Sequence, residues 1–164
     1  MTGPASVGLP WWHPAPLIAT GLGVGHLPWV PGSWGSLAAL ACGWAIVSVG
    51  GHLALAIAAV VAFALGCWVS GLVAETSGLK DPHFIVVDEI AAQWLVLIVA
   101  PLDGRWYAAA FLSFRLFDIT KPWPARLVER RIPGGLGVML DDVVAAIYAL
   151  VLLLMAEGVF GVRP

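Results

Sequence analysis

The chain has 164 residues, 60% of them hydrophobic and only 11% charged, with a formal net charge of −2. Water-soluble domains average about 45–50% apolar and about 25% charged residues, so much of this surface must face a solvent other than water, and lipid is the simplest one. The slight negative charge excludes a broad basic field for nucleic acid, and the length allows one domain, residues 1–164.

The N-terminal stretch carries no Lys or Arg, and Pro and Gly interrupt its apolar runs, so it does not read as a cleavable leader. The nine Trp, among them Trp11, Trp12, Trp29 and Trp34, suit a membrane protein, because indole rings favour the headgroup layer. Gly21-Leu22-Gly23-Val24-Gly25 and Pro31-Gly32-Ser33-Trp34-Gly35-Ser36-Leu37 place a glycine-rich loop at a helix N-terminus. Such a loop could offer backbone N–H groups, with the hydroxyls of Ser33 and Ser36, to a substrate phosphate. A plain N-cap is the competing reading of either serine, and no Walker-type Gly-Lys-Ser/Thr occurs.

The first helix is predicted over 36–49 and, after Gly50-Gly51, the second over 53–75. Cys42 and Cys67 fall in separate apolar runs and read as helix-packing residues, not as a disulfide or metal pair. A third helix, over 84–100, carries Asp88 and Glu89 near its start and is closed by Pro101 and the Asp103-Gly104 turn. The fourth, over 106–120, carries Arg115 and Asp118 and cannot run far past Lys121 because Pro122 and Pro124 follow. Pro133-Gly134-Gly135 and Gly137 read as a loop before a fifth helix over 140–157, which Asp141 and Asp142 would open. The expected fold is therefore all-α, a multi-pass membrane bundle of about five helices, although the first and fourth segments are short for the roughly 20 residues that span a bilayer.

If every segment crosses, alternate ends share a face. One face then holds Lys80, Lys121, Arg126, Arg130 and Arg131, and the other holds Arg105 and Arg163. The positive-inside rule puts the richer face in the cytoplasm. Asp88, Glu89, Asp118, Asp141 and Asp142 all fall on that face among apolar neighbours. Ionised carboxylates beside hydrocarbon need partners. Arg115, three residues before Asp118, can neutralise one, and the remaining negative charge calls for a cation, with oxygen ligands favouring Mg²⁺ or Mn²⁺ over Zn²⁺. Favourable charge at helix N-termini would explain Asp88, Glu89, Asp141 and Asp142 one at a time, but not Asp118 at a C-terminal end. Lys121 is a candidate for a phosphate oxygen or anionic headgroup, with a snorkelling surface lysine as the alternative. Arg126, Arg130 and Arg131 are expected to contact lipid headgroups without specificity. His83 lies nearest the Asp88-Glu89 pair and is a secondary candidate for the site, with His13, His26 and His52 ranking lower.

Four ordered motifs, Pro31 to Leu37, Ile85-Val86-Val87-Asp88-Glu89, Phe114-Arg115-Leu116-Phe117-Asp118 with Lys121-Pro122-Trp123-Pro124, and Gly134-Gly135-Leu136-Gly137-Val138-Met139 with Asp141-Asp142, together resemble the phosphatidylglycerophosphatase A family. The resemblance implies Mg²⁺-dependent hydrolysis of phosphatidylglycerophosphate to phosphatidylglycerol and phosphate in a bacterial cytoplasmic membrane, with the phospholipid substrate and membrane lipids as partners. Departures are mild: Ser33 stands for a usual Thr, Ala92 and Ala146 for common Gly, Glu129 for an Asp, and His26 for an apolar residue. Asp-x-Asp, Cys-x₅-Arg and paired-His phosphatase signatures are missing, which favours attack by a metal-activated water over a protein nucleophile. The five carboxylates would hold the metal, with one of them available as general base, while Arg115 and Lys121 offset phosphoryl charge. Two other classes compete. A CDP-alcohol phosphotransferase lacks its spaced Asp signature here, and an ion-coupled transporter would spread its carboxylates across the bilayer depth.

Overall fold

The structure, a computed structural model, describes residues 9, 12–79 and 82–160. Trp11, and Lys80 and Arg163 of the charge count, lie outside the described residues. Every regular element among the described residues is helical: α1 (Pro14–Ala19), a 3₁₀ turn (Val24–His26), α2 (Pro31–Ser77), α3 (Val87–Leu97), α4 (Gly104–Thr120), α5 (Ala125–Arg131) and α6 (Gly134–Phe160). The all-α expectation holds. The sequence reading drew neither α1 nor α5, both too short for a strong apolar period.

α2 is two helical arms in one stretch. Gly51 breaks it, with φ 71° and ψ −178°, a conformation essentially confined to glycine. The arms, 31–50 and 52–77, rise about 30 Å and about 39 Å at 1.5 Å per residue, and they correspond to the two predicted helices separated at Gly50-Gly51. The first arm starts earlier than predicted because Pro31 sits in the helix's first turn, where its missing N–H costs no hydrogen bond. α3 is shorter than its predicted segment, at 11 residues, and rises only about 16 Å, well under the roughly 30 Å of a hydrocarbon core. His52 Nε2 lies 3.0 Å from the Ala100 carbonyl oxygen, tying the α2 break to the chain just beyond α3.

The largest correction concerns α6. It begins at Gly134, so Asp141 and Asp142 lie about two turns inside it and do not open it. The glycines read as a loop are close-approach positions. A Cβ on Gly135 would collide with the Cys67 carbonyl and the Gly71 nitrogen of α2, and one on Gly137 with the Ile132 carbonyl. Met139 packs over Gly66 in the same crossing, since a Cβ there would press on its sulfur. Small residues let two helix backbones approach where any side chain would hold them apart. Gly135→Ala is therefore expected to destabilise the fold by about 3 kcal/mol, the upper end of ordinary overpacking costs. Gly158→Ala, whose methyl would meet open space, should leave the melting temperature in detergent unchanged or raised.

α2 and α6 are long and apolar enough to cross a membrane. Val49, Leu53, Ile57, Val60, Leu152 and Met155 on these helices are exposed, as lipid-facing side chains would be. Inside, Leu55, Val96, Leu97, Phe114, Ala145 and Ala149 belong to one buried cluster. A second, with Val69, Val73, Ile85, Val87 and Met139, supports the start of α3. Cys42 and Cys67 are unpaired thiols.

Candidate active site

A cavity of about 540 Å³ opens where the start of α2, the segment before α3, the start of α3, the end of α4 and the second and third turns of α6 converge. Its walls include all five predicted carboxylates, Asp88, Glu89, Asp118, Asp141 and Asp142, together with Arg115 and Lys121. Residues separated by more than fifty positions in the chain thus share one space.

Each element delivers its side chain for a local reason. Asp88 and Glu89 occupy the first turn of α3, and Asp88 Oδ1 accepts the Glu89 backbone N–H at 3.1 Å. Glu89 can lie against α2 because position 32 is glycine: a Cβ there would strike Glu89 Oε1. Gly35, one turn on, makes room for Val86 in the same way. The glycines of the Pro31-to-Leu37 motif therefore allow α3 to pack against the first turns of α2. Asp118 in the last turn of α4 is held by Arg115, which donates to Asp118 Oδ2 through a short charged hydrogen bond and whose Nη1 stands 3.9 Å from Glu89 Oε1. Lys121 caps α4 with φ 42° and reaches Asp141 Oδ2 at 2.6 Å. Asp141 Oδ1 in turn accepts the Asp142 backbone N–H at 3.0 Å.

Among the described residues, two cations, Arg115 and Lys121, thus line the cavity with five acids, and the acids are buried or nearly so. Asp88, Asp141 and Asp142 are 9%, 8% and 4% exposed. Burial pushes the Glu89 carboxyl up to about 8, and burial reinforced by the Glu89 charge holds that of Asp88 well above the usual carboxylate range. Without a proton or a further cation, this cluster is under-compensated. Asp88, Glu89 and Asp142 each offer a carboxylate oxygen within 4.8 Å of the others, and Glu89 Oε2 and Asp142 Oδ2 are buried without a hydrogen-bond partner. An all-oxygen, anionic donor set with unshared lone pairs suits a hard divalent cation, so these three residues could hold a metal ion. The helix-dipole explanation fails for Asp141 and Asp142 because they lie inside α6.

The two serines lie apart from the cluster. Ser36 is fully buried and its hydroxyl donates to the Gly32 carbonyl at 3.0 Å. Ser33 lines a neighbouring apolar groove and not the carboxylate cavity. Neither is the N-cap of α2, a position held by Val30. The helix start meets the cavity through Pro31 and Gly32 instead. His83, Trp29 and Val138 also line the cavity. The proximity of His83 to Asp88 in the chain was the one signal for any of these three.

Comparison with known proteins gives the family. Residues 17–157 match the family model described as phosphatidylglycerophosphatase A. The chain belongs to the phosphatidylglycerophosphatase A family. It is 39% identical over 140 residues to the phosphatidylglycerophosphatase A of Haemophilus influenzae, covering 85% of this chain and 86% of the relative. The Escherichia coli protein of the same name is 36% identical over 137 residues, 83% of this chain and 77% of the relative. A Bacteroides thetaiotaomicron protein, named as a candidate phosphatidylinositol-3-phosphatase, is 40% identical over 152 residues, 88% and 94% of the two chains. No solved structure matches the chain. As a member of the phosphatidylglycerophosphatase A family the chain is a phosphatase, a phosphoric monoester hydrolase of lipid metabolism.

Proposed function

We propose that the protein hydrolyses phosphatidylglycerophosphate to phosphatidylglycerol and inorganic phosphate, with Mg²⁺ held by Asp88, Glu89 and Asp142 and with Asp118 and Asp141 close by. The convergence of buried, partly unpartnered carboxylates in one cavity with Arg115 and Lys121 carries this reading. When bound, the cation would supply positive charge to the phosphoryl oxygens and lower the pKa of water, so that hydroxide would be available near neutral pH.

The chain's own groups do the rest. Arg115 and Lys121 line the cavity and offset charge on the transferred phosphoryl group, which is the main electrostatic demand of phosphoryl transfer. The start of α2 adds the favourable end of a helix dipole for an anion. One carboxylate takes the proton of the attacking water as the new P–O bond forms. The bond from phosphorus to the glycerol oxygen breaks, and the carboxylic acid so formed returns its proton to that oxygen, so the lipid leaves as a neutral alcohol and the carboxylate is regenerated. This mechanism needs no nucleophilic side chain.

α2, with its two arms, and α6 would cross a bacterial cytoplasmic membrane in a multi-pass arrangement. The cavity would open at the cytoplasmic side, where Lys121, Arg126 and Arg131 gather. A transport path is less consistent with acids that meet in one cavity. The relative named for a phosphoinositide raises one alternative headgroup, so substrates should be compared directly. Purified protein in detergent micelles is expected to release phosphate from phosphatidylglycerophosphate faster than from phosphatidylinositol 3-phosphate. EDTA should stop the release and added Mg²⁺ restore it. Full activity in EDTA would refute the metal-dependent reading.

A further inference from the structure

A second cavity adjoins the carboxylate site and differs from it in character. It is an apolar groove of about 350 Å³ walled by Pro28, Trp29, Val30, Ser33, Trp34 and Leu37. Trp29 and Val30 line both spaces. The polar cavity, with its cations and carboxylates, and the apolar groove are therefore neighbours across a single residue pair.

Trp29 is unusual on two further counts. It is 95% exposed, so its indole adds almost nothing to the folded core. It also holds φ +83°, a left-handed backbone conformation that bulky side chains rarely adopt. Strain of this kind persists where the surroundings enforce it, and it clusters at ligand clamps. Here the surroundings do enforce it: the Trp34 indole N–H donates to the Pro28 carbonyl at 3.1 Å, and the first turn of α2 begins at once with Pro31. Trp34 and Leu37, one and nearly two turns into α2, are themselves 44% and 42% exposed. Packing inside the protein does not account for Trp29, and it leaves a large part of Trp34 and Leu37 uncovered.

We propose that this groove holds an acyl chain of the lipid phosphomonoester whose phosphate occupies the carboxylate cavity, with Trp29 as the partition that sets the headgroup on one side and the chain on the other. The inference rests on the phosphatase reading above and extends it to how the lipid is oriented. A molecule with an anionic end and an apolar end satisfies both spaces at once. A free phosphate fills only the first, and a bulk lipid tail only the second. Ser33 lines the groove and not the carboxylate cavity, so it belongs on the chain side of this partition.

The test separates chain recognition from headgroup binding and from simple anchoring of an indole at the membrane surface. A dihexanoyl form of the lipid phosphomonoester, used as a monomer in solution, removes the lipid interface as a variable. Inorganic phosphate, used as a competitive inhibitor, reports on the carboxylate cavity alone. Trp29→Gly, which keeps the left-handed backbone accessible, is expected to raise KM for the dihexanoyl substrate about tenfold, as loss of a few buried methylene contacts would, with kcat within about twofold. The inhibition constant of phosphate should stay as in the unmodified protein, and Trp29→Phe should restore most of KM. Unchanged KM, or an equal weakening of substrate and phosphate, would overturn the proposal. Failure of the unmodified protein to release any phosphate would instead bring down the phosphatase reading, and this inference with it.

Discussion

Asp142→Asn is expected to lower phosphate release by at least about a thousandfold, equivalent to about 4 kcal/mol of transition-state stabilisation, while leaving the fold intact. Asp142 is 4% exposed and contributes one of three carboxylate oxygens that lie within 4.8 Å of one another. Its Oδ2 has no hydrogen-bond partner, so the charge of this group has no use in the fold that a neutral amide would fail to serve. Asn keeps the size and removes the charge that would hold a cation. The stability effect should have the opposite sign to the activity effect when metal is chelated. A buried carboxylate among like charges is unfavourable, so the variant should melt no lower than the unmodified protein in EDTA. Mg²⁺ should raise the melting temperature of the unmodified protein and not that of the variant. Phosphate release and thermal melting in detergent, each with EDTA and with Mg²⁺, check both parts. An active, metal-stabilised Asp142→Asn protein would remove this residue from the site.

Arg115→Ala should weaken the fold as well as phosphate release, and the effect on the fold can be measured separately. Arg115 and its partners Asp118 and Glu89 have side chains only 11%, 12% and 15% exposed. Removing one member of a buried ion pair leaves the others uncompensated and typically costs about 3–5 kcal/mol. In a domain of this size that corresponds to a drop in melting temperature of the order of 10 °C. Arg115→Lys should recover only part of it, because a flexible ammonium does not reproduce the fixed planar geometry that sets Nη1 between both carboxylates. Combining Arg115→Ala with Glu89→Gln should be less damaging than the sum of the two changes, since the second removes a charge that the first stranded. Melting curves of the five proteins (unmodified, the three single variants and the double) in chelator decide the matter, and a melting temperature unmoved by Arg115→Ala would mean that the pair is solvated and structurally idle.

Some of this arrangement is visible in the chain itself. Arg115 and Asp118 are three residues apart on one predicted helix, a spacing that brings side chains together, and the structure pairs them. The pairing of Lys121 with Asp141 and the approach of Arg115 to Glu89 are long-range, and no local rule gives them. Glycine was misread for a related reason. In one dimension Gly134-Gly135 and Gly137 look like a break, whereas in three dimensions Gly135 is where α6 touches the backbone of α2. Gly51, by contrast, was read correctly as a break, because its backbone angles admit essentially no other residue. Ser33 and Ser36 show the limit of motif reading: both lie at a helix start beside the site, yet helical rotation sends Ser36 into the interior and Ser33 to the apolar groove.

What the amino-acid sequence determined alone was chemistry and periodicity: an apolar, all-helical chain, acids set in hydrocarbon-like surroundings, and basic residues gathered near them. Those properties belong to residue types and their neighbours, so they survive without coordinates. Only the tertiary structure decided which acids meet, which cations they meet, and which glycines separate helices and which join them. Such outcomes depend on contacts between residues far apart in the chain, which form only when helix packing brings backbones close enough that one added methyl group would keep them apart.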